Sequence, residues 1–488
     1  MLNDFIYNAI LTNLVYDPLD GQKTLIFKLS EFVSEASSKN EIFLLKGYAG
    51  TGKTSTIAAL VKALRSLRLK SILLAPTGRA AKVLSIYSKK EAFTIHKKIY
   101  RQQSSYSSFG KFSLDANLHT NTVFIVDEAS MIANQSFDNS VFGSGRLLDD
   151  LIEYVYNQKG CKLILIGDTA QLPPVKLDIS PALEKKELDT YGFDVIEYEL
   201  TEVARQEKDS GILFNATKLR NILDKSMSYG EGINVEFKGF PKIKINGFND
   251  IKKIVGSELI EAISDSYNKY SEKDVAIICR SNKIANKYNQ GIRSTVLYRE
   301  DEISTGDLIM VVKNNYFWAE EYDNIDFIAN GDIAEIVRIR SYNERYGYRF
   351  ADLTLLFHDY NNLEIDVKVI LDTLTSEKAS LSYEQNKELY AKIEEDFADI
   401  KNKSIRYKKI KKHPFFNALQ IKFAYAITCH KAQGGQWKKV FIDQGWLTEA
   451  MINREFLRWL YTAFTRSTTE LDLVNFKKEF FYKDEITD

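Results

Sequence analysis

The sequence predicts an α/β protein built around a mostly parallel sheet, and three observations carry that expectation. Short apolar runs recur at 42–46, 71–75, 123–126, 162–167 and 194–200, with helical patterns between several of them. Runs this short, bounded by turn residues, read as buried strands, and strands alternating with helices form parallel sheets covered on both faces. The first run, Ile42-Phe43-Leu44-Leu45, leads through a glycine-rich loop into a helical pattern at Ile57, Leu60, Val61 and Leu64. Two later runs end in carboxylates, at the C-terminal strand ends where parallel sheets place ligand sites. Together these elements predict a first domain over about residues 1–210.

The glycine-rich loop is Gly47-Tyr48-Ala49-Gly50-Thr51-Gly52-Lys53-Thr54, a complete G-x-x-x-x-G-K-[ST] phosphate loop. Its glycines, Gly50 and Gly52 nearest the helix, let backbone N–H groups curl around phosphate oxygens, and Thr51 lies between them. The helix N-terminus adds positive potential. Lys53 can reach the β/γ-phosphates, and the Thr54 hydroxyl can ligate Mg²⁺. The strand before and the helix after supply the context this chemistry needs, so the segment predicts binding of a nucleoside triphosphate with Mg²⁺.

Val123-Phe124-Ile125-Val126 runs into Asp127-Glu128. Asp127 is suited to hold the metal and Glu128 to polarise an attacking water. A further buried strand, Lys162 to Ile166, runs into Gly167-Asp168-Thr169-Ala170-Gln171-Leu172-Pro173-Pro174. Gln171 can sense the γ-phosphate or position water; Asp168 reads equally as a turn residue.

Composition bounds the partners. The 488 residues carry 66 basic and 66 acidic side chains, so nucleic-acid binding must come from a local groove and not from global attraction. Apolar content of 44% and charged content of 27% are those of an ordinary globular protein. The three cysteines, Cys161, Cys279 and Cys429, form no C-x-x-C pair, which argues against metal and disulfide frameworks and fits a reducing cytoplasm. No secretory signal pattern and no run long enough to span a bilayer are found, so no membrane partner is expected.

The order of motifs resembles the superfamily 1 helicases of the RecD-like and Dda-like branch, superfamily 1B. Ala75-Pro76-Thr77-Gly78-Arg79 resembles that family's strand-end DNA motif, and Thr94-Ile95-His96 the short element after it. Gly167 to Val175 matches the glutamine-containing coupling motif. Leu200 to Gln206 resembles the segment whose arginine, here Arg205, contacts the γ-phosphate. Thr428-Cys429-His430-Lys431-Ala432-Gln433-Gly434 resembles the DNA-contacting motif of the second half, and Tyr461 to Arg466 the final motif, which supplies a second arginine. Gly435 stands where relatives often carry a hydroxyl residue. Gln22 occupies the place of the glutamine that reads adenine.

The resemblance implies two RecA-like P-loop motor domains, with a small hairpin inserted in the first and an SH3-like β-barrel in the second. The expected boundaries are 1–96 and 121–210 for the first domain, 97–120 for the hairpin, 211–297 and 415–488 for the second domain, and 298–414 for the barrel insertion. The hairpin region holds Tyr100, Tyr106, Phe109 and Phe112, candidates for stacking on the last base pair of a fork. Within the insertion, 376–412 reads as charged helix ending in Arg406-Tyr407-Lys408-Lys409-Ile410-Lys411-Lys412, either a phosphate-binding run or a solvated face.

By resemblance the activity is ATP-dependent DNA unwinding with 5′-to-3′ movement along single-stranded DNA, by a monomeric motor acting on single strands and single/double-strand junctions in a bacterial or phage-infected cytoplasm. Lys53, Thr54, Asp127, Glu128, Gln171, Arg205 and Arg466 would carry hydrolysis. Thr77, Arg79, Thr94, His96, Thr428 and His430 would face DNA. An RNA motor and a nucleotide-gated clamp that does not unwind are the alternatives, since the motifs do not distinguish the sugars.

Overall fold

The computed structural model describes residues 2–34, 40–102, 112–135, 142–202, 209–227, 239–322, 325 and 327–482. Six parallel strands form the first sheet. In spatial order they are Ala92–Thr94, Lys70–Ala75, Thr122–Val126, Lys162–Gly167, Glu41–Gly47 and Asp194–Leu200. The central strands are apolar at successive positions because helices cover both faces. Ile42 and Leu44 point into one core layer, against the helix Leu147–Tyr156. Phe43 and Leu45 point into the other, against the helices Leu2–Asn13, Asp20–Ser34 and Lys53–Ser66. The edge strand Ala92–Thr94 was not among the sequence-predicted strands. Three residues long and only partly buried, it lacks the apolar run that marks the others.

The second sheet is also parallel, in the order Ala426–Thr428, Val275–Cys279, Trp437–Asp443, Ser467–Val474 and Ile251–Ile254. Its core is continuous with that of the barrel described next. The edge strand Ile251–Ile254 reads Ile-Lys-Lys-Ile with its lysines exposed or half-buried, too short and polar to stand out in the sequence.

Five strands, Leu308–Val311, Ile333–Arg345, Tyr348–Phe357, Leu363–Ile370 and Leu419–Phe423, close into a barrel. This is the SH3-like insertion of the second α/β unit. The helices Tyr383–Glu395 and Lys403–Lys411 lie between the fourth and fifth strands, within the segment expected to be charged helix. The barrel therefore closes with a strand beyond residue 414. In sequence that strand runs on without a break into Tyr425-Ala426-Ile427, so the apolar pattern alone does not divide barrel from sheet. A buried ionic cluster roots the barrel: both oxygens of Asp307 accept from Arg293 Nε, at 3.0 and 3.1 Å. Oδ1 also accepts from Arg299 Nη1 at 3.0 Å and from the Tyr425 hydroxyl at 3.0 Å.

In the first unit, Tyr100–Gln102 and Phe112–Leu114 pair as a two-stranded antiparallel sheet. Residues 103–111, with Tyr106 and Phe109, lie outside the described residues. The Phe112 ring packs on Phe142 (centroids 4.9 Å apart) and on Tyr316 of the barrel unit (4.4 Å), so the hairpin base leans on the insertion. No helix among the described residues is long and apolar enough to cross a membrane.

Candidate active site at the interdomain cleft

The phosphate loop sits between the strand Glu41–Gly47 and the helix Lys53–Ser66. Gly52 has φ +87°, and a Cβ there would lie 2.4 Å from Gln22 Nε2, so both the turn and the close approach demand glycine. The Lys53 ammonium donates to the carbonyls of Gly47 (2.6 Å) and Tyr48 (2.8 Å), which holds the cation over the loop. The Thr51 hydroxyl donates to Tyr48 O at 2.8 Å. Thr54, in the first turn of the helix, is half-buried.

Gln22 is fully buried, and both ends of its amide are used locally. Nε2 donates to Thr51 O at 2.9 Å, and Oε1 accepts from Leu19 N–H at 3.1 Å. Gln22 thus braces the phosphate loop. Beside it a cavity of about 440 Å³ is lined by Leu14, Val15, Tyr16 and Pro18, and Val15 and Tyr16 expose apolar surface there.

Asp127 and Glu128 follow the strand Thr122–Val126. Glu128 takes a left-handed conformation (φ +53°), and its N–H donates to Asp127 Oδ1 at 2.9 Å. Burial raises the Asp127 carboxyl. Burial likewise pushes Glu128 up to about 6; the Arg466 charge opposes that shift and Asp127 adds to it. Lys53 acts on both carboxylates, so the two acids, the loop lysine and Arg466 share one electrostatic environment.

Among the described residues no group of three or more His, Cys, Asp and Glu side chains could hold a metal. One carboxylate and one hydroxyl, Asp127 and Thr54, are a sparse oxygen donor set of the kind that binds Mg²⁺ jointly with phosphates.

The far wall of the cleft comes from the second unit. The helix Arg454–Phe464 begins at Asn453, whose side chain accepts from Phe456 N–H, and buries residues 456–464. From it the Tyr461 hydroxyl donates to Asp168 Oδ2 at 2.6 Å and accepts from Ala49 N–H, in the phosphate loop, at 2.9 Å. Next to it, Thr462 Oγ1 accepts from Leu172 N–H at 2.9 Å, and Gln433 Nε2 donates to Leu172 O at 2.7 Å.

Between these anchors Gln171 is 6% exposed, and its Oε1 is buried without a hydrogen-bond partner. An orphaned buried oxygen of this kind suits a site that receives a ligand or its water. The Arg466 guanidinium is 4% exposed and donates to Thr462 O (3.0 Å), Gly435 O (3.3 Å) and Thr465 Oγ1 (3.0 Å). Arg205 lies outside the described residues.

The residues expected to face DNA are spread over both units. Thr77 caps the helix Gly78–Ser88, its hydroxyl accepting from Ala80 N–H at 3.2 Å. Thr94 caps Ile95–Ile99 in the same way, accepting from Lys97 N–H. The Arg79 guanidinium reaches across to the second unit, 3.9 Å from the Trp437 ring, and donates to Gln436 O at 3.3 Å. Gly434, with φ +72°, packs against Thr77 and Ala80, where an added Cβ would come within 3.1 and 2.9 Å. His96 sits among Tyr100 and Phe142 (centroids 5.7 and 4.9 Å), and burial lowers it to about 4, so it is neutral near pH 7. Thr428 and His430 are half-buried at the end of the strand Ala426–Thr428, and burial lowers His430.

Sequence reasoning left Tyr461, Thr462 and Gln433 unassigned although it quoted the motifs that hold them. The available signal was their place beside Arg466 and His430.

Residues 30–221 match the family model described as AAA domain, and residues 423–474 match that of the UvrD-like helicase C-terminal domain. The ATP-dependent DNA helicase dda of Enterobacteria phage T4 is 27% identical over 465 residues, covering 88% of this chain and 93% of that protein. An uncharacterized protein of Acanthamoeba polyphaga mimivirus, R530, is 24% identical over 519 residues, 91% of this chain and 97% of its own. The ATP-dependent RecD2 DNA helicase of Deinococcus radiodurans is 32% identical over 136 residues, 28% of this chain and 16% of that one. A Pif1 helicase from Bacteroides, solved with ADP-AlF3 and ssDNA, aligns over 96% of this chain and 95% of its own at 15% identity and a TM-score of 0.46. The family matches, the relatives and the order of its motifs together support a superfamily 1B helicase of the Dda and RecD type.

Proposed function

We propose that the chain is an ATP-driven DNA helicase that moves 5′-to-3′ along single-stranded DNA, closing and opening its interdomain cleft with each Mg-ATP hydrolysed. The observation that carries this reading is the cleft itself, where a phosphate loop and carboxylate pair on one sheet face an arginine, a tyrosine and a glutamine held by the other. Both motor units must close to complete such a site, so nucleotide occupancy and domain position are one equilibrium.

Each residue has a part that its chemistry supports. Lys53, now on loop carbonyls, transfers its charge to the β/γ-phosphates, and the N–H groups of Gly50, Thr51 and Gly52 cradle them. Thr54 and Asp127 would hold Mg²⁺, which neutralises developing phosphate charge when bound. Glu128 accepts a proton from the attacking water, and Gln171 orients it. Arg466, joined by Arg205, stabilises the transferring phosphoryl group, a contribution on the order of 10³–10⁵ in rate where a finger arginine supplies it. Gln22 steadies the loop, and the base would lie in the neighbouring cavity, whose lining mixes Val15, Tyr16 and Pro18 with Asp17 and Lys23. Thr77, Arg79, Thr94, His96, Thr428 and His430 flank the DNA path, the two capping threonines by shaping backbone and not by direct charge. The motor acts as a monomer in a reducing cytoplasm.

The experiment is ATP-dependent opening of matched duplexes with either a 5′ or a 3′ single-stranded tail, under a single-strand trap. Opening of the 5′-tailed duplex alone is expected. Opening of the 3′-tailed one alone would reverse the polarity, and hydrolysis stimulated by DNA without any opening would replace the helicase by a clamp.

A further inference from the structure

We infer that the Tyr461 hydroxyl is a positioning residue that aligns the glutamine loop, Asp168 to Leu172, with the phosphate loop across the cleft. The inference rests on the functional reading above and gives Tyr461 a part that this reading leaves unassigned.

The geometry is specific to the hydroxyl. Tyr461 is 1% exposed, and its one oxygen makes two hydrogen bonds to the first motor unit, accepting from Ala49 N–H at 2.9 Å and donating to Asp168 Oδ2 at 2.6 Å. Asp168 uses its other oxygen to accept from Ala170 N–H at 2.9 Å, and its carbonyl accepts from Gln171 N–H at 3.3 Å. The phenol therefore grips the carboxylate that shapes the turn carrying Gln171. Thr462, the next residue, takes Leu172 N–H at 2.9 Å, and its carbonyl takes Arg466 Nε at 3.0 Å.

One helical turn thus references the phosphate loop, the glutamine and the arginine to a common frame. Burial and the adjoining Asp168 charge raise the phenol above its ordinary range, so it stays a proton donor to the carboxylate at neutral pH. A tyrosine serving only as core would need no partner in the other unit; this one has two. Without the hydroxyl the ring still fills its space, but Asp168 Oδ2 and Ala49 N–H lose their partner, and the closed cleft loses the bonds that fix Gln171.

The test is steady-state ATP hydrolysis by the full chain with saturating oligo-dT, for the native protein, Tyr461→Phe, Asp168→Ala and the double variant. The phenylalanine variant is expected to lose about ten- to hundredfold in kcat, the range for a hydrogen bond to a buried charged group, with KM for ATP within about threefold. The double variant is expected to be no slower than the slower single one, because both remove the same link. A phenylalanine variant with native kcat, a raised KM at native kcat, or losses that multiply in the double variant would each overturn the role. Should Tyr461→Phe melt early, Asp168→Ala reads the same kcat-against-KM split from the other end of the bond. A native chain without DNA-stimulated hydrolysis would remove the functional reading itself; native hydrolysis beside an unaffected phenylalanine variant removes only the hydroxyl's role.

Discussion

At the scale of single residues the cleft depends on groups held out of their ordinary state. Glu128 is pushed up to about 6 by burial, so as a base it is protonated and inactive below that value and ionised above it. The pH profile of kcat/KM is therefore expected to show an acid limb near pH 6, rising with pH, that Glu128→Gln abolishes along with about 10²–10⁴ of the rate. A profile flat from pH 5 to 8 would remove Glu128 from that role. Gly52 combines φ +87° with a Cβ position 2.4 Å from Gln22 Nε2. Gly52→Ala should displace Gln22 and weaken nucleotide binding about five- to thirtyfold in equilibrium titration, since the left-handed conformation alone costs about 1–2 kcal/mol. The loop and the carboxylate pair were legible in sequence because each is contiguous and its chemistry is local. Tyr461 was not, because an aromatic on an apolar helix reads as core, and only its distance to Ala49 and Asp168 says otherwise.

At the scale of elements, strands buried on both faces announced themselves as continuous apolar runs, and the five strands expected in the first sheet match their bounds within a residue at either end. Short edge strands, Ala92–Thr94 and Ile251–Ile254, did not, because pairing along one side needs little apolar surface. The barrel is rooted by Asp307, 0% exposed between Arg293 and Arg299. Asp307→Ala leaves the buried Arg293 cation without its carboxylate, while Arg299 keeps Glu272, and should cost about 3–5 kcal/mol, read as a lower urea midpoint. The hairpin base rests on the barrel unit through Phe112 and Tyr316. If the hairpin meets the fork, Phe112→Ala should slow unwinding severalfold while DNA-stimulated hydrolysis stays within about twofold, because the lost aromatic contact is worth only about 0.5–1.5 kcal/mol and lies away from the phosphate loop. Equal losses in both assays would make Phe112 part of the core and not of the fork.

At the scale of the whole molecule, the site exists only when both units meet. Ala49 and Tyr461, Leu172 and Gln433, and Arg79 and Trp437 are each hundreds of residues apart in the chain, and nothing in local sequence pairs them; only the resemblance suggested a shared cleft. Arg466→Ala should therefore slow turnover by about 10³ or more while changing ATP affinity far less, since its charge serves the closed state. Equal loss of both, by titration and turnover, would mark it as structural. The barrel has a separate consequence. Its first and last strands, Leu308–Val311 and Leu419–Phe423, are antiparallel neighbours, so the chain leaves the second sheet and returns to it through one seam. Everything between is a cassette with adjacent ends, the arrangement that domain insertion tolerates best. That cassette can be lengthened, trimmed or exchanged at the seam while the chain path through the cleft between the two sheets stays the same.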